Sequence, residues 1–306
     1  MANRNEIIDR ITRLTQSGQD IVRRECLGEL AAYTGRDTIL YAVPFNLAMP
    51  GIPSNVTSVT LDDVPGFMTC LNGLSGNSLD LILHSPGGSL EAAEQLVQYL
   101  RAKYGHIRAI VPQNAMSAAT MIACACDEII LGKQSAIGPI DPQIALPRQG
   151  GVAVPVPAHS ILADFEKAKK EIANDKNAAV VWMPKIMELP HGILDLCQET
   201  IDLAKSKVAD WINDYMYKGQ SNAPGQVIAN WLGNFTEHKT HGRPINYTLA
   251  QNKGLKVRLL EDDQVLQDWV LSVYHATLAT FEITPYIKII ENHNGQGAYT
   301  AIQART

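Results

Sequence analysis

The sequence is short of cysteine, of basic charge and of long apolar runs, and each shortage argues against a class of explanation. Its five cysteines, Cys26, Cys70, Cys124, Cys126 and Cys197, are an odd and scattered set in 306 residues. They suit reduced thiols in a cytoplasmic protein rather than a disulfide framework. Cys124 and Cys126 form a CxC with no second ligand pair, so they read as small core residues and not as half of a zinc site. Lys and Arg number 26 against 31 Asp and Glu, a formal net charge of −5. That balance argues against nucleic acid as a partner, because phosphate binding needs a concentrated basic surface. The KAKK run from Lys167 to Lys170 reads as a solvated helix face. No stretch reaches the roughly 20 apolar residues of a membrane helix, and the start, MANRNEIIDRITRL, carries charges where a secretory signal would be apolar. A soluble, cytoplasmic chain with no membrane span is expected. Neither HExxH nor a P-loop occurs, and no metal or other cofactor is expected. Internal repeats and low-complexity segments are missing too.

What the chain does hold lies between Leu79 and Gln143. LDLILHSPGG is an apolar strand that stops at Ser85, Pro86, Gly87 and Gly88. A helical face follows, with Leu90, Ala93, Leu96, Val97 and Leu100 in phase. IRAIVPQ (Ile107 to Gln113) is a second short strand ended by proline. NAMSAATMIACACDEIIL then places Ser117 at the start of a helix of small residues, and Glu128 to Leu131 is a third strand before the loop SAIGPIDPQ. Strand, tight turn and helix, repeated, predict a parallel sheet with both turns at the carboxyl ends of strands, where open α/β sheets bind ligands. Glycines at 87 and 88 let backbone N–H groups approach a reacting atom. Ser117 at a helix start sits among free N–H groups, so a glycine N–H and that of Ala118 form a candidate oxyanion hole beside its hydroxyl.

HSPGGSLEAAEQL followed by VPQNAMSAATMIACACDEIILGKQSAIGPIDPQ resembles the Clp protease and signal peptide peptidase A superfamily, and most of all its serine dehydrogenase proteinase branch. The resemblance resumes in HGRPINYTLAQNKGLKV, from His241 to Val257, and in YIKIIENHNG. It implies a crotonase-like ββα superhelix, an α/β fold, with additional C-terminal helices. It also implies that Ser117 is a peptidase nucleophile, that Gly88 with Gly87 beside it supplies oxyanion donors, and that the substrate is a peptide or unfolded protein cleaved without ATP. Rings or stacked trimers are the rule in that superfamily, so a homo-oligomer is expected.

A serine hydroxyl needs a neighbouring base. Where Clp proteases carry their histidine this chain has Ile140 and Asp141, a departure from their triad. Three residues remain as bases. His241 falls near the place of the Clp aspartate and ranks first. His159, in VPAHSIL, lies near the place of the peptidase lysine and ranks second, and Lys167 is further along a solvated face. Asp141 is then available to orient a histidine. His84, before the SPGG turn, reads as a residue packed beneath it.

Around this core the sequence predicts a helical arm over residues 1–35, a peptidase domain over 36–260 with a helical insertion at about 160–236, and a C-terminal helix and tail over 261–306. Gln143 to Pro157 reads as a long loop, Ile193 to Tyr217 as an amphipathic helix, and YIKII (Tyr286 to Ile290) as an edge strand. A crotonase-type acyl-CoA enzyme and an inactive scaffold of the same fold are the competing functions. The first is disfavoured by a serine where crotonases place glycine.

Overall fold

The computed structural model describes residues 4–14, 17–44, 56–147 and 153–302. The Pro-, Gly-, Asn- and Ser-rich segment from Pro44 to Ser58 reads as a loop from its composition; most of it, and residues 148–152 of the loop expected from Gln143 to Pro157, lie outside the described residues. The arm is two helices, α1 (Arg4–Thr12) and α2 (Gly18–Thr34). Then come β1 (Asp37–Ala42), α3 (Asp63–Leu71), β2 (Ser78–His84), α4 (Leu90–Lys103) and β3 (His106–Val111). Next are β4 (Asn114–Ala115), α5 (Ala118–Cys124), β5 (Glu128–Leu131) and β6 (Ala136–Ile137). The segment expected as a loop is a hairpin of β7 (Gln143–Pro147) and β8 (Ala153–Pro157), whose ladder pairs Ile144 with Val156 and Leu146 with Val154. Helices α6 (Ala158–Asn174), α7 (Ala179–Met187), α8 (Ile193–Trp211), α9 (Gly225–Leu232), α10 (Phe235–His238) and α11 (Tyr247–Asn252) follow. The chain ends with β9 (Val257–Leu259), α12 (Gln264–Ile283), β10 (Tyr286–Asn292) and β11 (Gly297–Ala301).

Among the described residues, seven strands make one sheet in the order β11-β10-β1-β2-β3-β5-β9. The five from β1 to β9 run parallel, and β10 is antiparallel to both its neighbours. YIKII is therefore an interior strand, not the edge that its position near the chain end suggested. Alternate residues of each strand point to opposite faces. Ile39, Tyr41, Leu79, Leu81, Leu83, Ile107, Ala109 and Val111 join one core with α3, α4, α5 and α9. Leu40, Ala42, Ile82, Ile110, Ile130 and Ile289 join a second with α1, α2 and α12. Both faces are covered, which is why the parallel strands read as unbroken apolar runs.

The boundaries expected at residues 35 and 260 run through this packing. α2 and α12 lie together over one face, and β10 and β11 extend the sheet that β1 begins. The hairpin, α6 and the first half of α8 share a small separate core around Ala158, Ile161, Ile193, Cys197 and Ile201. The second half of α8 buries Ala204, Val208 and Trp211 in the main core. The apolar stripes of α2 and α8 are thus used within the chain. α7 is the contrast: none of its residues is buried, and Val180, Val181 and Met187 are 79%, 75% and 77% exposed.

Candidate active site

Beyond the carboxyl ends of β2 and β3 the chain builds a short second ladder that carries every segment of interest. Ser85 pairs in parallel with Ala115, β4 pairs in parallel with β6, and Ile137 of β6 pairs antiparallel with Ile245. The Ile137 and Ile245 backbones exchange both hydrogen bonds, at 3.0 and 2.8 Å. Ser85 leads into the Gly-Gly turn, Ala115 into Ser117, Ile137 into Asp141, and Ile245 follows His241 by four residues. Thr120 ties the rows together, donating from its hydroxyl to Ala115 O at 2.8 Å and accepting from Gly138 N–H at 2.9 Å.

Gly87 and Gly88 have φ of +97° and +156°, angles open to glycine and strained for other residues. The turn also needs the missing side chains for space. A Cβ on Gly87 would lie 2.4 Å from Met116 O and 2.6 Å from Ser117 Cβ, so the Gly-Gly and serine turns are in direct contact. Gly87 N–H donates to Ser85 Oγ at 3.2 Å, and Gly87 O accepts from Val59 N–H at 2.7 Å. In a trans peptide the C=O and N–H point opposite ways, so the Gly88 N–H is aimed away from Val59. Gly87 supplies the close approach and Gly88 the unspent donor.

Ser117 has φ 50° and ψ −120°, one of three non-glycine residues with positive φ among those described. Such a conformation costs about 1–3 kcal/mol and persists only where its surroundings hold it. The hydroxyl makes no capping bond to α5, although serine at a helix start ordinarily would. The strained turn sets a half-buried Ser117 against Gly87 through its Cβ, next to the first N–H of α5.

Asp141 and His241 come together. Nδ1 of His241 is 2.9 Å from Oδ1 of Asp141, while Oδ2 accepts from Gln143 Nε2 at 3.0 Å. Asp141 is 1% exposed and the His241 side chain 28% exposed. A carboxylate only accepts, so Nδ1 donates this bond, and in a neutral imidazole so held Nε2 is the acceptor. His241 lines a cleft of about 360 Å³ with Pro86, Asn114, Met116, Gly242 and Pro244. Pro86 and Met116 immediately precede Gly87 and Ser117. A larger hollow of about 730 Å³ against Pro65, Met68, Tyr99 and Lys103 carries none of these groups.

The other candidates make no hydrogen bond to Asp141, although His159 lies near enough to feel its charge. His159 stacks on Phe235 at 6.5 Å, its Nε2 has no hydrogen-bond partner, and burial, then the Lys205 charge, push its pKa down. Lys167 is 64% exposed beside Glu171. His84 is fully buried, edge-on to Tyr274 at 5.1 Å, and burial lowers its pKa to about 4. Cys124 and Cys126 are fully buried, and burial pushes both thiols up, Cys126 to about 12, so neither is a competing nucleophile. Two participants had no sequence signal: Gln143, which holds the second Asp141 oxygen, and Val59, whose pairing with Gly88 is a contact between distant segments.

A family model for ClpP-like SDH-type serine proteinases matches residues 23–278. An uncharacterized protein of Methanocaldococcus jannaschii, MJ0137, is 27% identical over 234 residues, 74% of this chain and 71% of that protein. A second from the same organism, MJ1495, is 32% identical over 146 residues, 45% of this chain and 47% of its own length. Among solved structures, the 1510-N membrane-bound stomatin-specific protease covers 66% of this chain and 92% of its own at 16% identity and TM-score 0.28. An enoyl-CoA hydratase from Mycobacterium avium subsp. paratuberculosis covers 62% and 90% at 14% identity and TM-score 0.24. The family match spans both turns, Asp141, His241 and all five parallel strands of the sheet, and the chain belongs to the ClpP-like SDH-type serine proteinases.

Proposed function

We propose that this protein hydrolyses peptide bonds in extended or unfolded polypeptide through an acyl-enzyme on Ser117. His241 Nε2 takes the hydroxyl proton as Ser117 Oγ adds to the scissile carbonyl carbon. The negative charge that develops on the carbonyl oxygen is met by the N–H groups of Gly88 and Ala118. Collapse expels the amine, which leaves with the proton from His241. Water then adds to the ester, again giving a proton to His241, and the acid product departs as that proton returns to Ser117. Asp141 holds the Nδ1–H tautomer and steadies the imidazolium in both halves.

The observation that carries this is the Asp141–His241 pair at 2.9 Å, on a cleft whose other wall is made by the residues preceding Gly87 and Ser117. The strain at Ser117, unexplained by helix capping, points the same way. The test is cleavage of a fluorogenic peptide by the wild type and by Ser117→Ala without ATP. Turnover confined to the wild type is expected, and equal turnover by both would refute the assignment.

The protein acts as a homo-oligomer in this account, with α7 as the contact. Its exposed Val180, Val181 and Met187 are apolar surface that a free monomer leaves in water. No helix among the described residues is long and apolar enough to cross a membrane.

A further inference from the structure

Two charged side chains are buried together behind the Gly-Gly turn, and the chemistry above uses neither. Lys288 of β10 is 4% exposed and Asp63 of α3 is 2% exposed. Lys288 Nζ donates to Asp63 Oδ1 at 2.5 Å and to the backbone oxygen of Ser58 at 2.7 Å. The other Asp63 oxygen accepts from the Tyr41 hydroxyl at 2.8 Å and from Thr60 N–H at 3.0 Å. Burying two charges is costly, and hydrophobic replacements are often as stable, so stability alone is a weak reason for the pair.

What the pair holds is the chain on both sides of Val59. Ser58 is fixed through its carbonyl and Thr60 through its N–H. Between them, Val59 N–H donates to Gly87 O at 2.7 Å and Val59 O accepts from Ser89 N–H at 2.9 Å. A Cβ on Gly88 would lie 2.3 Å from Val59 O, so the contact is close. The Gly87 C=O therefore traces back, through Val59, to one buried carboxylate, while the Gly87 N–H donates to Ser85 Oγ.

A peptide between two glycines has the least intrinsic preference of any for its own orientation. Rotating the Gly87–Gly88 peptide would swing the Gly88 N–H off its direction with little local cost, so an outside anchor has to set it. We propose that Asp63 and Lys288 are a positioning pair for the oxyanion donor: they hold Val59, and Val59 aims the Gly88 N–H. The catalytic part rests on the reading of Ser117 and Gly88 given above.

The test compares Lys288→Met with the double variant Asp63→Asn/Lys288→Met, by melting temperature, amide hydrogen exchange and peptide hydrolysis. Lys288→Met strands the Asp63 charge and is expected to melt well below the wild type. The double variant removes both charges and is expected to recover the melting temperature. It should still exchange the Val59 and Ser89 amides about tenfold faster or more, with β2 and β3 amides unchanged. Its kcat should fall about tenfold or more, short of the roughly 10²–10³ for outright loss of an oxyanion donor, with KM and the pH profile unchanged. Recovery of kcat along with melting temperature, or Val59 and Ser89 amides as protected as in the wild type, would overturn the proposal. Loosened Val59 and Ser89 amides uphold the coupling even in a wild type that reacts with no fluorophosphonate, in which case the failure is that of the Ser117 chemistry.

Discussion

Asp141 and His241 are 100 residues apart in the chain and 2.9 Å apart in space. Their meeting follows from one ladder rung. Ile137 pairs antiparallel with Ile245, so the residue four places after the first comes opposite the residue four places before the second. Asp141 and His241 are those residues. With the carboxylate accepting from Nδ1, a neutral imidazole keeps Nε2 as its acceptor, the tautomer that the proposed general base requires.

Asp141→Asn tests that orientation. An amide can donate to Nδ1 and favour the wrong tautomer, a change that costs about 10⁴ in kcat in the best-studied serine triad. A loss of that order is expected, with an unchanged melting temperature and KM, measured by steady-state peptide hydrolysis. Wild-type kcat in Asp141→Asn would place the base elsewhere, with His159 the next candidate.

Gly87→Ala tests the contact between the two turns. The new Cβ must move away from Met116 O and Ser117 Cβ, which it would otherwise approach to 2.4 and 2.6 Å. Displacing the serine or the neighbouring donor should lower kcat by about 10²–10³, read by active-site titration so that only folded enzyme is counted. Gly88→Ala is the less informative change, because its Cβ would strike the Val59 backbone and loosen the fold as well. Unimpaired turnover by Gly87→Ala would show that the tight approach is not needed.

The local βαβ pattern was legible in the residues because it is written in local signals: apolar runs for β2, β3 and β5, period for α4, and Gly-Gly or serine between them. The candidate nucleophile and glycines follow from the same signals. Distance in sequence hid the remainder. YIKII reads as a terminal edge strand until Gly297–Ala301 turns back onto it. Gln143 to Pro157 reads as loop because three prolines and two glycines interrupt it, yet its two halves alternate well enough to pair. The stripe on α8 announced a buried face without saying whether its partner was this chain or another. Lys288 and Asp63 gave no signal at all, since each is an ordinary charged residue until the fold buries them together.

His84 should make the protein acid-sensitive. Burial lowers its pKa from 6.5 to about 4, so between those values the unfolded chain binds a proton that the folded one refuses. Stability is then complete above about pH 6.5 and lost as pH falls toward 4, by about 3 kcal/mol from this group. His84→Gln should flatten the slope of melting temperature against pH in that window. An identical slope in both proteins would show that His84 is not the group responsible.

α7 should mediate assembly. Light scattering at micromolar concentration is expected to give a multiple of the 33.5 kDa chain mass. Val181→Lys, on a residue 75% exposed, should shift the population toward single chains without unfolding them. A wild type of one chain mass that keeps full activity on dilution would contradict this.

The central claim is that Ser117 is a nucleophile, and a fluorophosphonate measures that without knowledge of the substrate. Intact-mass analysis of the wild type should show one adduct per chain, lost when the protein is denatured before exposure. Ser117→Ala, which changes one hydroxyl at the start of α5, should fold alike and take up none. Equal labelling of Ser117→Ala, or no adduct on a folded wild type, would contradict the account.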